Sequence, residues 1–167
     1  MSSIIRKVNE SDAQAIAVII RASFKDVADK FDITQKNAPT HPSYCTAEWI
    51  ERDMASGLRY LLLETDEKIV GCVGYKTLEG HTLEAQRLAI LPEYRGGSLA
   101  RELNAAVLEY AVTAGLTKIR ISIVAQHRAL KQWYLRMGFV ECETRNFENL
   151  PFQVTYLEYD VGKAGNY

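Results

Sequence analysis

Hydrophobic positions recur along this chain with two periods. At Ala13, Ile16, Ala17, Ile20 and Phe24 the spacing is three or four residues, which places one apolar stripe on a helix. Asn9 stands before it as a cap and Asp12 occupies the third helical position, so the helix start is marked by side chains as well as by the stripe. Residues 4–8 read as a short strand, and Thr46 caps a second helix that ends near Ala55. Residues 58–64 and 68–76 read as strands around a tight turn at Thr65, Asp66 and Glu67, and Gly80 introduces a further strand over 81–91. A helical face carries Leu99, Leu103, Ala106, Val107, Tyr110 and Ala111, and Gly115 suits its left-handed C-terminal cap. Residues 118–124 are β-rich and suit a central strand. Leu130, Trp133, Tyr134 and Met137 form the stripe of a helix over 128–137 that Gly138 ends. Two last strands, 139–145 and 153–159, flank a turn at Asn149, Leu150 and Pro151. Residues 31–44, with Pro39 and Pro42, fit neither period and read as a loop or broken helix; loops of that length often carry function. Hairpins come first and crossover helices later, which predicts one mixed α/β (α+β) domain over 1–161 and a loose tail over 162–167.

One strand breaks its own pattern. Leu83 and Ala85 are apolar at odd positions, whereas Leu88 and Ile90 are apolar at even ones. Side chains alternate strictly across a pleat, so the switch implies an extra residue, a β-bulge between Ala85 and Leu88. The alternative is a strand end buried on both faces.

Composition narrows the function. Of 167 residues, 47% are hydrophobic and 25% charged, with 20 basic and 21 acidic side chains. That balance is ordinary for a globular domain and offers no basic excess for nucleic acid or an anionic membrane. No apolar run approaches a membrane span, and the first ten residues do not resemble a signal peptide. Cys45, Cys72 and Cys142 are odd in number and far apart, which suggests reduced thiols and a cytoplasmic setting. His41, His81 and His127 are scattered and lack zinc-ligand spacing, so no metal is expected.

The chemistry concentrates between Leu83 and Gly115. A strand is followed by Pro92, then Arg95, Gly96, Gly97, Ser98, Leu99 and Ala100, which open a helix directly. Free backbone N–H groups at a helix N-terminus suit a phosphate, and two glycines let a ligand approach the backbone. Arg95 adds positive charge; Ser98 could cap the helix or donate to a phosphate. There is no G-x-x-x-x-G-K-[ST], and no G-x-G-x-x-G after the first strand, so neither a Walker nor a Rossmann site is expected. Taken alone, a Gly-Gly pair before a helix is also compatible with a plain turn.

At this point the chain resembles the GNAT N-acetyltransferase superfamily. A bulged strand leads into [RQ]-x-x-G-x-[GA], where Arg95 fills the first place, Ser98 the central glycine and Ala100 the last; the lead-in reads RLAILPEYR. About forty residues on, Tyr134, Gly138 and Phe139 match Y-x-x-x-G-F, and the opening IIRKVNESDAQAI is similar too. The resemblance implies a mixed, mostly antiparallel sheet flanked by helices, and acetyl transfer from acetyl-CoA to a primary amine, a small molecule being favoured over a peptide. It implies a pyrophosphate on the amides from Arg95 to Ala100 and a pantetheine arm along Leu88, Ala89 and Ile90. His127, seven residues before Tyr134, stands where many members carry Asn and is grouped with the cofactor-binding residues. Tyr134 is the implied acid for the departing thiolate; its packing alternative is a core aromatic. Glu84 is the candidate base, acting through water, with Glu79, His81, Tyr75, His127 and bulk water as competitors. The acceptor is expected near His41, Tyr44, Thr46, Phe147 and Phe152. A non-catalytic CoA-binding sensor would need the loop but not Tyr134. No nucleic-acid or membrane partner is expected, and a homodimer is allowed.

Overall fold

The computed structural model describes residues 2–162, so the expected tail beyond Gly162 lies outside the described residues. Strand β1 (Ser3–Lys7) leads to Asn9, whose side chain accepts from the Ser11 N–H at 3.0 Å while Asp12 accepts from the Asn9 N–H at 3.0 Å. This reciprocal cap starts a short 3-10 turn and then helix α1 (Ala13–Lys30). Arg6 secures the junction, bonding Asp12 at 2.9 and 3.0 Å and Glu64 at 2.7 Å. Thr46 accepts from the Trp49 N–H at 3.3 Å and starts α2 (Ala47–Ala55).

Strands β2 (Arg59–Thr65) and β3 (Lys68–Leu78) form the expected hairpin. Its turn residues Asp66 and Glu67 both have positive φ, 50° and 63°, the pairing that matches strand twist in a two-residue turn. Then follow β4 (Thr82–Ile90), α3 (Leu99–Thr113), β5 (Lys118–Val124), α4 (Arg128–Arg136), β6 (Val140–Arg145) and β7 (Val154–Asp160). The seven strands lie in the order β1-β2-β3-β4-β5-β7-β6. Every neighbouring pair is antiparallel except β4 and β5. The predicted mixed, mostly antiparallel sheet flanked by helices is what the chain forms.

Each sheet face has its own core. On one, α3 buries Leu103, Val107 and Ala111 against Leu61, Leu63, Val73, Leu83, Ala85, Ile90 and Ile119. On the other, α1 buries Ala13, Ile16, Ala17 and Ile20 against Tyr60, Leu62, Cys72 and Ala89. The two cores divide β4 at its phase switch. Leu83 and Ala85 face α3, then Leu88 and Ile90 do, while Ala89 faces α1. The register confirms a bulge, since Gly74 pairs with Gln86 and Cys72 with Ala89, leaving Arg87 and Leu88 opposite Val73. Among the described residues no helix is long and apolar enough to cross a membrane.

Candidate active site

The site begins where β4 and β5 stop pairing. They share only three pairs, from Thr82 with Lys118 to Glu84 with Arg120. Beyond that point the strands separate, and the gap is a cleft of about 600 Å³ lined by residues 85–90 of β4, 121–124 of β5, and side chains of α1, α3 and α4. The bulge lies along this gap, so the cleft side of β4 offers backbone groups that no strand covers.

Arg87 sits at the bulge with φ 55°, an unfavourable conformation for a residue with a Cβ. Its Nη1 donates to Asp53 Oδ2 at 2.6 Å and to the Tyr60 hydroxyl at 2.7 Å, tying the bulge to α2 and β2. Sequence reasoning missed this tether. The one signal for it was an arginine placed inside the phase break.

The loop before α3 adjoins the cleft through a second hollow of about 550 Å³, lined by Tyr94, Arg95, Gly96, Gly97, Leu99, Ala100 and Arg101 among others. Pro92–Tyr94 form a 3-10 turn closed by the Arg95 N–H on the Pro92 carbonyl at 3.3 Å. The next six amides, from Gly96 to Arg101, donate to no protein group among the described residues. They gather at the N-terminus of α3, where the helix dipole is positive. Gly96 has φ 89°, which favours glycine, and a Cβ built on Gly97 meets nothing within 4 Å.

Two side chains differ from their expected roles. The Arg95 guanidinium turns away from the loop and onto α1, bonding the Ser23 carbonyl at 2.6 Å, Asp26 at 2.7 Å and the Ile90 carbonyl at 3.0 Å. It holds the loop against α1 and β4 rather than lending a free charge, and its own amide is taken by Pro92. Ser98 does not cap the helix; its hydroxyl donates to Glu102 at 2.8 Å, and Glu102 also receives Ser3. Its backbone is ordinary at φ −92°, so a side chain fits where the motif has glycine.

Tyr134 lies on α4 with 6% of its surface exposed and lines the cleft. Trp133 and Phe139 pack edge-on at 4.9 and 5.1 Å between ring centres. Its hydroxyl has no hydrogen-bond partner among the described residues, and burial pushes the phenol well above its usual pKa. It therefore holds its proton at neutral pH. Glu84 is not in the cleft lining. Its carboxylate is 3.8 Å from Lys76 Nζ and accepts from Gln86 Nε2 at 3.4 Å, and Gln86 does line the cleft. Of its competitors, Tyr75 is buried against Tyr110, and Glu79 and His81 are exposed at the distant turn before β4. His127 lines the cleft and caps α4, accepting from the Leu130 N–H at Nδ1 (3.4 Å); burial foremost, then Lys30, lowers its pKa.

The α1 side of the cleft is walled in part by the loop after α1. His41 and Phe152, predicted to face each other, stand 6.3 Å apart edge-on, and Phe24 of α1 stacks edge-on to His41 at 6.1 Å. Phe24 was legible only as part of the helical stripe. Tyr44 and Thr46 are occupied in structure: Tyr44 donates to the Ile33 carbonyl at 3.3 Å and Thr46 caps α2. Phe147 does not line the cleft.

The residues present fit coenzyme A. Six free amides with open space over Gly97 suit a pyrophosphate, and the uncovered edge of β4 suits an amide-bearing arm. The comparisons with known proteins agree. Residues 24–139 match the acetyltransferase (GNAT) family. The chain is 25% identical over 164 residues to the uncharacterized N-acetyltransferase YjgM of Escherichia coli (strain K12), covering 89% of this chain and 96% of that one. Its fold is similar to PaiA N-acetyltransferase from Thermoplasma acidophilum in complex with coenzyme A, with a TM-score of 0.79, 17% identity, and coverage of 96% and 99%. It is similar as well to the ribosomal-protein-S18-alanine N-acetyltransferase from Escherichia coli, with a TM-score of 0.76, 13% identity, and coverage of 96% and 94%. The protein belongs to the acetyltransferase (GNAT) family and is an acetyl-CoA-dependent acyltransferase.

Proposed function

We propose that this enzyme acetylates a primary amine of a small molecule, with the amine entering from the α1 side of the cleft and the cofactor from the α3 side. The observation that carries this is the gap between β4 and β5, which crosses the sheet and joins the free amides of the loop to the pocket around His41. Acetyl-CoA supplies an acyl group on a good leaving group. The chain does the rest. The amides from Gly96 to Arg101 hold the pyrophosphate, Arg95 keeping their loop in place. Leu88, Ala89 and Ile90 position the arm, and a backbone N–H at Leu88 supports the developing oxyanion. Tyr134, which keeps its proton, protonates the thiolate as the C–S bond breaks and the C–N bond forms. The amine must first lose a proton, since its free pKa is about 10. Glu84 accepts that proton at one remove, through water beside Gln86. The wall that the loop at Thr40 and Pro42 gives the pocket supports a small acceptor over a protein segment. Free Cys45, Cys72 and Cys142 suit a cytoplasmic setting.

The test compares wild type with Tyr134→Phe in acetyl-CoA affinity, by calorimetry, and in turnover on an amine panel. The variant loses no protein hydrogen bond, so affinity and stability should hold while kcat falls by roughly 10²-fold. Tight CoA binding with no turnover of any amine or peptide would instead identify a sensor, and an unchanged kcat would remove Tyr134 from the chemistry.

A further inference from the structure

The acceptor half of the cleft has a definite chemical character. Its walls are the rings of Phe24, His41 and Phe152 with Val154, and its other polar groups, Ser23, Thr40, Gln86 and Ser122, are all neutral, the Ser23 hydroxyl being buried without a partner among the described residues. The charged side chains at its edges are already paired. Arg87 is held by Asp53, and Arg95 by Asp26, the one carboxylate of the lining. No unpaired carboxylate among the lining residues could neutralise a second positive charge on a substrate.

His41 is a deeply set polar side chain of this wall, with 7% of its surface exposed, close to the 5% of Ser23 beside it. Its tautomer follows from its neighbours. The Ser43 N–H donates to Nδ1 at 3.3 Å, and Ser43 Oγ lies 2.7 Å from the same nitrogen. Nδ1 therefore presents its lone pair, and the neutral ring carries its proton on Nε2. Nε2 has no partner among the described residues, in a side chain that lines the cleft. Burial holds the ring down to about 4, so it stays neutral across the working range. A neutral N–H between two phenyl rings cannot take up a proton from an ammonium group, but it can donate to an oxygen.

We infer that the acyl acceptor is a monoamine carrying an aromatic or branched apolar group and a neutral oxygen, and that His41 Nε2–H selects for that oxygen. This rests on the acetyltransferase reading of the cleft and goes beyond it in naming the acceptor's class and a specificity-determining residue. The amine end reaches towards Tyr134, the apolar group fills the space between Phe24 and Phe152, and the oxygen accepts from His41. A polyamine fits poorly, because its distal ammonium finds no unpaired carboxylate.

The test uses three acceptors with the intact enzyme and acetyl-CoA: phenylalaninamide, 2-phenylethylamine, which lacks the oxygen, and spermidine. The expected order of kcat/KM is phenylalaninamide, then 2-phenylethylamine, then spermidine, with a step of about 10-fold for the oxygen, the scale of one neutral donor left without its partner. His41→Phe should reduce the first ratio to about one without lowering acetyl-CoA affinity, and His41→Gln, which retains an N–H donor, should restore part of it. A nitrogen NMR spectrum of the wild-type protein reads the tautomer directly and does not depend on how the variants fold. Spermidine as the best acceptor, a ratio unmoved in His41→Phe, or a proton on Nδ1 would each overturn the inference while leaving the acetyltransferase reading intact. Absence of turnover with all three and with every other amine, despite acetyl-CoA binding, would overturn both.

Discussion

Gly71 offers a test of how closely β3 approaches the stretch of β4 that borders the cleft. It is buried in β3 opposite Ile90. A Cβ built on it would stand 2.6 Å from Ile90 Cδ1, 2.9 Å from the Ala89 carbonyl oxygen and 3.3 Å from Leu103 Cδ1. The Ile90 methyl can rotate aside. The Ala89 carbonyl can move only if β4 moves, and β4 is the strand whose uncovered edge faces the cleft. Overpacking of this kind costs about 1–3 kcal/mol. Loss of glycine's freedom in the unfolded chain returns about 0.4–1 kcal/mol. Gly71→Ala should therefore be destabilised by about 1–2 kcal/mol, lowering Tm by roughly 2–8 °C for a chain of this size. Acetyl-CoA affinity should fall with it, because the displaced atoms belong to Ala89 and Ile90. Calorimetric melting with and without acetyl-CoA measures both. Gly97→Ala is the matched control: its Cβ meets nothing within 4 Å, so only the unfolded-chain term of about 0.4–1 kcal/mol remains and Tm should rise by roughly 1–4 °C, while the methyl occupies the approach to the free amides and weakens acetyl-CoA. A Gly71→Ala protein that melts at or above wild type would refute the close-approach argument. Unchanged affinity in Gly97→Ala would refute the placement of the phosphate.

Three other expectations follow from named contacts. Arg87→Ala should cost roughly 2–4 kcal/mol in urea unfolding, since it strands Asp53 and the buried Tyr60 hydroxyl. Arg87→Gly should be the more stable of the two by about 0.5–1 kcal/mol, because φ is 55° there; the opposite order would contradict strain at the bulge. Arg95→Ala frees the loop from α1 and should weaken acetyl-CoA by roughly 10-fold in calorimetry, about 1.4 kcal/mol, and unchanged affinity would mean that the amides hold their arrangement unaided. His41 sets a pH dependence of stability. Its folded value is about 4 against an unfolded value near 6.5, so the unfolded chain binds the extra proton between those limits. Stability is thus full above pH 6.5 and falls as pH drops, by about 1.4 kcal/mol per unit and up to about 3 kcal/mol by pH 4. Urea midpoints across pH 7 to 4 should show this slope in wild type and a flatter one in His41→Gln. Asp12, depressed by Arg6, adds its loss only below its unfolded value of 3.8.

Much of the fold was legible because its signals are local. A cap is written within four residues, as at Asn9 and Asp12, and a two-residue turn within its own pair, as at Asp66 and Glu67. The bulge was legible for a related reason. Alternation along a strand is a strict count, so an inserted residue leaves a break in hydrophobic phase at Ala85 and Leu88 that needs no knowledge of the neighbouring strand. The family was legible in a spaced pattern, the Arg95–Ala100 loop followed by Tyr134, Gly138 and Phe139. In each case the cause lies in backbone geometry over one or two turns, and the residue types report it directly.

What the sequence left open was settled by approach between distant segments. Nothing local states that β7 enters between β5 and β6, or that β4 and β5 part after three pairs, just before the bulge on β4. Arg95 reads as a phosphate-facing charge until α1 comes within reach and offers it Ser23 and Asp26, 72 and 69 positions away. Ser98 likewise reads as a cap until Glu102 and Ser3 supply a partner. Phe24, His41 and Phe152 belong to a helix, a loop and a turn, and they form one wall only when the sheet brings those elements together. Hydrophobic periodicity and turn chemistry determined the elements of this protein, because those forces act along the chain. The direction of its long polar side chains and the shape of its cleft depended on which partner was nearest in space, and only the tertiary structure decides that.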